Sequence, residues 1–344
     1  MPLESYIRAM PKVELHVHLE GAIQPTTLLK LAQRHGIALP AESEEGLRAW
    51  YRFSDFDHFV QVYMAISQCI RTPEDIELIA WEFLRGQASQ NIVYSEVTFT
   101  AHTHWATKGL SFATQIEAIN RARERALREL GIAMRLVIDI PRYVSAEEGE
   151  MVAEWAISGM DNGVVGLGLG GPEQGNPAER YSTAFTLAKN AGLASLPHAG
   201  ETVGPESIWS ALSHLQADRL GHGVRCMEDP ELVALLRERQ IPLEVCPTSN
   251  VCLNVVPEFA AHPLPRLLEE GLMICLGSDD PPMFNTTLTG EYLECAKYFG
   301  FDAGLLDGLV LNAVEASRLN QTERAILRKR VLQEAEELKP AHLP

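Results

Sequence analysis

None of the six cysteines (Cys69, Cys226, Cys246, Cys252, Cys275 and Cys295) stands in a CxxC pair, and no Pro-Cys-x-x-Cys run occurs in the 344 residues. Scattered through apolar contexts, they read as free buried thiols in a reducing compartment rather than as disulfides or thiolate metal ligands. Positive charge is scarce: 29 Lys and Arg against 46 Asp and Glu leave a net charge of −17. An acidic surface repels nucleic acid and anionic membranes, so a polyanionic partner is excluded. No apolar run approaches the roughly 18 residues of a membrane span. Met1–Met10 has neither a long apolar stretch nor a cleavage pattern. A cytoplasmic protein is expected. Repeats, low-complexity tracts and obvious linkers are also missing.

What is present is a rhythm of short runs rich in Val, Ile and Leu: residues 13–18, 92–98, 135–140, 164–169, 194–198, 219–222, 243–247 and 273–278. Most are almost continuously apolar, as parallel strands covered on both faces are. Helical patterns lie between them. Residues 111–130 place Ile116, Ile119, Ala122 and Ala126 on one face, 178–190 form another, and 230–239 open with Asp229 as cap and Pro230 at the first helical position. Eight strands alternating with helices predict an α/β fold, a (β/α)8 TIM barrel, as one domain over residues 1–344. A doubly wound open sheet fits less well, because no glycine-rich phosphate loop follows the first run.

About seventy residues separate Glu20 from the second strand, too many for one crossover. They predict a helical insertion over about 21–90, with helices at 25–35 and 56–70, capping the C-terminal face. Phe53, Phe56 and Phe59 are candidates to face substrate from it. Residues 321–338 are charged and predict a surface helix.

Four polar clusters follow strand ends: His16-Val17-His18, His198-Ala199-Gly200-Glu201, Gly221-His222-Gly223 and Ser278-Asp279-Asp280. The C-terminal end of the strands carries the active site in such barrels. His16 and His18, two apart on a strand, point the same way and can share a metal. His198 adds a third imidazole from another strand, a donor set suited to Zn²⁺. One of Asp279 and Asp280 can complete it while the other aims elsewhere. Glu201 is then a proton donor or acceptor. The glycines around His222 allow the backbone close to a ligand. The metal would lower the pKa of its water toward neutrality. A second metal usually needs a bridging carboxylate or modified lysine, which Gly168-Leu169-Gly170-Gly171 does not offer, so one ion per chain is expected.

These motifs, with Leu19-Glu20-Gly21, Cys246-Pro247-Thr248-Ser249-Asn250 and Ser278-Asp279-Asp280-Pro281, resemble the adenosine deaminase family of the amidohydrolase superfamily, over nearly the whole chain. The resemblance implies that His16, His18, His198 and Asp279 hold one zinc ion. Glu201 would protonate the purine at N1 while hydroxide attacks C6, His222 would orient or deprotonate the water, and Asp280 would contact the hydroxide or N7. The Gly171 N–H would meet N3, and ammonia would leave. A carboxyl pKa raised in a closed pocket suits the role of Glu201.

Glu20 stands where adenosine deaminases commonly carry an Asp that contacts the ribose 5′-hydroxyl; relatives acting on adenine carry Glu there. The loop Gly170-Gly171-Pro172-Glu173 differs from the Ser-Ser-Glu of those adenine enzymes. The combined motifs resemble most the branch that deaminates aminodeoxyfutalosine, an intermediate of the futalosine route to menaquinone in which a carboxyphenyl ketone extends the 5′ position. His102, His104 and Arg142 are candidates to meet that carboxylate. The expected partner is thus a purine nucleoside, aminodeoxyfutalosine or adenosine. Adenine deaminase and a non-catalytic zinc-binding barrel are the alternatives. The chain is expected as a monomer or homodimer.

Overall fold

A computed structural model describes residues 2–343; Met1 and Pro344, the ends of the expected domain, lie outside the described residues. Eight parallel strands pair in sequence order: β1 (Lys12–Glu14), β2 (Ile92–Phe99), β3 (Ala133–Pro141), β4 (Val164–Gly170), β5 (Ala194–Ala199), β6 (Leu220–His222), β7 (Leu243–Val245) and β8 (Ile274–Leu276). The ring closes beyond the regular strands. The His18 N–H donates to the Asp279 carbonyl at 3.0 Å, and the Asp279 N–H to the His16 carbonyl at 3.1 Å. All eight residues of β2 are buried, as expected for a barrel strand covered on both faces. This is the predicted (β/α)8 barrel, with helices surrounding the strands.

Helix ends follow local chemistry. Phe112–Leu130 starts where the Ser111 hydroxyl accepts from the Thr114 N–H, and Ile116, Ile119, Ala122 and Ala126 form its buried face. Pro230–Arg239 is capped by Asp229, which accepts from Glu231 and Leu232 N–H. Such caps contribute about 1 kcal/mol each. The last helix, Gln321–His342, runs past the predicted 338 and takes Pro340 into its final turn. The 178–190 stretch divides into a 3₁₀ turn, Ala178–Tyr181, and a helix, Ser182–Asn190. Among the described residues, no helix is long and apolar enough to cross a membrane.

Helices Pro25–His35, Glu44–Trp50, Phe56–Gln68 and Pro73–Ser89 fill the interval between β1 and β2. Asp75, fully buried, ties the first to the last, accepting from Arg34 at 2.5 Å and His35 at 2.6 Å. It also accepts from the Arg71 and Thr72 N–H groups. These bonds hold its pKa below the usual carboxylate range against the effect of burial.

Candidate functional site

The candidate metal cluster forms where β1 and β8 lose their regularity. Beyond Glu14 the chain stays extended but irregular through His18, which bridges to Thr98, while Val17 bridges to Asp279. His16, His18, His198 and Asp279 converge so that one ligand atom from each lies within 4.8 Å of the others. All four are buried. His198 places its Nδ1 3.1 Å from the Leu169 carbonyl, a contact that needs Nδ1–H and leaves Nε2 as a lone pair. His16 sets Nδ1 2.8 Å from Glu244, which likewise turns its Nε2 inward, and that Nε2 has no hydrogen-bond partner. The His18 and His198 Nε2 atoms face each other at 3.1 Å, with Asp279 Oδ1 3.3 Å from His18. Inward-facing nitrogens beside a buried carboxylate are a donor set for a cation.

Electrostatics say the same. Burial opposes charge on His16, but Asp279 and Glu244 outweigh it and raise its pKa to about 10. For His18, burial is outweighed by Asp280 and Asp279, giving about 9. Burial and the neighbouring imidazoles push His198 well below its ordinary value. Buried carboxylates here call for positive charge, a demand that a cation would meet.

Asp279 and His222 both adopt left-handed backbone, φ 62° and 61°, a conformation uncommon outside glycine. For Asp279 this breaks the alternation expected of a strand. Both Asp279 and Asp280 therefore line the cavity above the cluster, together with His18, His198, Glu201 and His222. The Asp279 carboxylate also accepts from the Ser249 hydroxyl at 2.7 Å. The glycine before His222 makes room for the protein rather than for a ligand: a Cβ on Gly221 would stand 2.8 Å from His16 Cε1 and 3.1 Å from His198 Cγ.

Glu201 is buried 3.7 Å from His222 Nε2. Burial, then Asp279 and Glu173, raise its pKa well above the carboxylate range. Burial, then His16, lowers His222 to about 4. The Asn250 amide stands 3.5 Å from His222 Nδ1, and Asn250 is itself held by His262 at 3.1 Å. Burial and Asp279 raise Asp280 well above the carboxylate range.

The cavity walls come from helix Phe56–Gln68, through Phe56, Phe59, Val60, Tyr63 and Met64, and from Thr100, Thr103, Asp139, Pro141, Tyr143, Gly170, Gly171, Pro172 and Leu253. Not every expected residue lies there. Phe53 stands behind the wall, its ring 5.4 Å from that of Phe59 and 5.9 Å from that of Phe284. Glu20 lies one layer down, because its carboxylate is taken up by protein donors: Thr100 N–H at 3.0 Å, His104 Nε2 at 3.1 Å and the Tyr63 hydroxyl at 3.3 Å. His102 turns away to Glu148 at 3.3 Å, among Trp105 and Trp155. Arg142 donates to the Asn176 and His198 carbonyls, each at 2.7 Å. The three candidates for a substrate carboxylate, His102, His104 and Arg142, thus stand outside the lining, which contains no Lys or Arg among the described residues.

Several participants were not singled out from the sequence. Glu173 accepts from the N–H groups of Gly200 at 3.0 Å, Glu201 at 2.9 Å and Thr202 at 2.8 Å, and from the Ser207 hydroxyl, clamping the loop that carries Glu201. Glu244, which orients His16, contacts Arg219, and Arg219 donates to Glu96 at 2.7 Å. Asp139 reaches the cavity from β3, and burial lifts its pKa to about 7. The available signal was a charged residue inside an apolar strand: Glu96, Asp139 and Glu244 all fit it.

Comparison with known proteins agrees with this geometry. The family model described as adenosine deaminase matches residues 11–334. The chain is 41% identical over 325 residues to an aminodeoxyfutalosine deaminase from Streptomyces avermitilis, covering 94% of this chain and 90% of that one. The crystal structure of an adenine deaminase from Arthrobacter aurescens superposes with a TM-score of 0.91 at 32% identity, covering 95% and 100%. An amidohydrolase from Burkholderia ambifaria, solved with bound Zn, superposes at 0.90 with 27% identity, covering 99% and 94%. The chain is therefore a member of the adenosine deaminase family, a hydrolase of C–N bonds that carries out hydrolytic deamination.

Proposed function

We propose that this protein deaminates a 6-aminopurine nucleoside extended at its 5′ position, aminodeoxyfutalosine, to the 6-oxopurine and ammonia. The observation that carries the reading is geometric: a buried carboxyl, Glu201, stands 3.7 Å from His222 Nε2, beside inward-facing imidazoles and carboxylates that suit one metal ion. His16, His18, His198 and Asp279 would hold that ion, zinc in our reading. When bound, it supplies the Lewis acidity that makes water nucleophilic near neutral pH.

The chain's own residues do the rest. Glu201 gives its proton to N1, drawing electron density from C6 as water attacks there. The Asn250 amide at Nδ1 favours the His222 tautomer with Nε2–H toward the cavity, which suits orienting the water oxygen. Asp280, whose pKa burial and Asp279 raise, would donate toward N7. Gly171 meets N3 with its N–H. The Glu201 carboxylate, left ionised by the transfer to N1, takes the proton the adding water loses and passes it to the amino group; ammonia leaves tetrahedral C6, and the remaining C6 hydroxyl proton returns to Glu201 as the 6-oxo group forms.

Two features support a 5′-extended substrate over adenosine. Glu20 already has three donors and is poorly placed to accept a free 5′-hydroxyl. The wall of Phe56, Phe59, Met64 and Leu253 suits an aromatic 5′ group, whose carboxylate would reach solvent past Tyr143, 55% exposed at the rim. This substrate would place the enzyme in menaquinone synthesis, in the cytoplasm. Adenine is the second reading, favoured by the likeness to the Arthrobacter enzyme. A non-catalytic barrel is disfavoured, because it needs none of Glu201, His222 and Asp280. The test is ammonia release by the zinc-loaded protein from aminodeoxyfutalosine, adenosine, 5′-methylthioadenosine and adenine. The reading expects by far the highest kcat/KM for the first; a highest value for adenine or adenosine would overturn it.

A further inference from the structure

We propose that Asp139 is the specificity residue for the sugar, its carboxylate accepting hydrogen bonds from the ribose hydroxyls of the substrate. The inference rests on the nucleoside reading above and adds a residue to it. Asp139 sits near the C-terminal end of β3, only 3% exposed, and lines the cavity with His18, Gly171 and Glu201. Among the described residues no donor bonds to it, and Oδ1 is buried without a partner. Buried polar atoms are rarely left so, and a site built around one has an unmet requirement for a donor. The neighbouring strand keeps this carboxylate open. A Cβ at Gly168 would stand 2.6 Å from one of its oxygens, and a Cβ at Gly170 2.4 Å from the other.

Its position around the ring narrows what the donor is. The mouth of the barrel follows the order β8, β1, β2, β3, β4, β5. Glu201 follows β5 and is assigned to N1, Gly171 follows β4 and is assigned to N3, and Asp280 follows β8 and is assigned to N7. The edge of the purine running from N3 through N9 to C8 and N7 then faces β3, β2 and β1. Asp139 on β3 is next after N3, where N9 carries its substituent. A vicinal diol offers two O–H donors to one carboxylate, as acidic residues do for ribose in dinucleotide sites. Glu20, the acidic residue expected near the sugar, is already occupied by Thr100, His104 and Tyr63. Asp139 is left to read the hydroxyls.

The experiment measures kcat/KM of the zinc-loaded protein for 5′-deoxyadenosine, 2′,5′-dideoxyadenosine, 3′,5′-dideoxyadenosine and adenine. It compares wild type with Asp139→Asn and, as a second replacement, Asp139→Ser, each checked for metal content and melting temperature. Wild type is expected to prefer the ribonucleoside over at least one deoxy counterpart by about 10- to 100-fold, the range of a hydrogen bond to a charged group. Both variants should lose most of that preference, with adenine changed by less than about threefold. A preference that survives in the variants overturns the proposal. So does a parallel fall for adenine, which would mean that Asp139 reads the ring N9–H. If wild type released ammonia from adenine but from neither these nucleosides nor aminodeoxyfutalosine, the nucleoside reading itself would fall, and this inference with it.

Discussion

At the scale of single residues, the site is an arrangement of buried charges that each need a partner. Glu244 illustrates this: it binds His16 Nδ1 and contacts Arg219, itself bound to Glu96. Carboxylates behind a ligating histidine fix its ring and raise its basicity. Glu244→Gln should therefore weaken metal affinity by about 10- to 100-fold, measured by competition with a chelating dye; unchanged affinity would show that His16 is oriented by other means. Glu291 offers a different test. It is fully buried, accepts from the Thr248 N–H at 3.0 Å and from Thr286 at 2.5 Å, and burial raises its pKa to about 7. Below about pH 4.5 the carboxyl is protonated folded and unfolded alike. Between there and pH 7 the unfolded chain ionises first, so the contribution of this group to stability is lost as pH rises. Glu291→Gln has no such loss. Urea denaturation at pH 5 and pH 8 should show the variant gaining on wild type at the higher pH, by roughly 2 kcal/mol; a gap independent of pH would contradict the assignment.

At the scale of elements, helix Phe56–Gln68 is the piece that gives the cavity its apolar wall. Phe56, Phe59, Val60, Tyr63 and Met64 recur at helical spacing on the cavity side. Phe59 stacks on Phe284 with centroids 5.4 Å apart. Phe56 is the aromatic of this helix least committed to the core. Phe56→Ala should raise KM for the 5′-extended nucleoside by about tenfold, from lost aromatic contact, while leaving adenine nearly unchanged in the same assay; equal losses would place the helix against the purine instead. The existence of this helix, its start at Phe56 and the start and end of Pro25–His35 were legible from caps and periodicity. The facing of Phe53 was not, since one residue's azimuth depends on the packing of Phe59 and Phe284. Strand ends were overread for a physical reason. Residues 15–18 and 277–278 continue apolar runs and look like strand, but the left-handed backbone at Asp279 and the bridges at Val17 and His18 replace regular pairing there. His16, His18, His198, Glu201, His222 and Asp279 were legible because polar residues follow apolar runs. Glu173, Glu244 and Asp139 were not, because a charge within a strand or loop does not announce its partner, and Glu20 and His102 were turned from the cavity by donors and acceptors far away in sequence.

At the scale of the whole molecule, the barrel is closed through residues of the candidate metal cluster, since His16, His18 and Asp279 supply the backbone pairing and also converge their side chains. An ion held by these residues would bind the folded barrel in preference to the unfolded chain, and should stabilise the fold by mass action. Treatment with a strong chelator should lower the melting temperature and abolish turnover together, and stoichiometric zinc should restore both; loss of turnover without any change in melting would separate metal from closure. The remaining claim is chemical: a neutral Glu201 donates the proton that makes C6 reactive. The most direct measurement is ammonia release, with metal content determined on the same samples, for wild type and Glu201→Gln. The account predicts about one zinc per chain in both proteins and a fall in kcat of at least about 10²- to 10⁴-fold in the variant, the usual worth of a positioned acid. A Glu201→Gln enzyme that keeps its metal and turns over at near wild-type rate would contradict it.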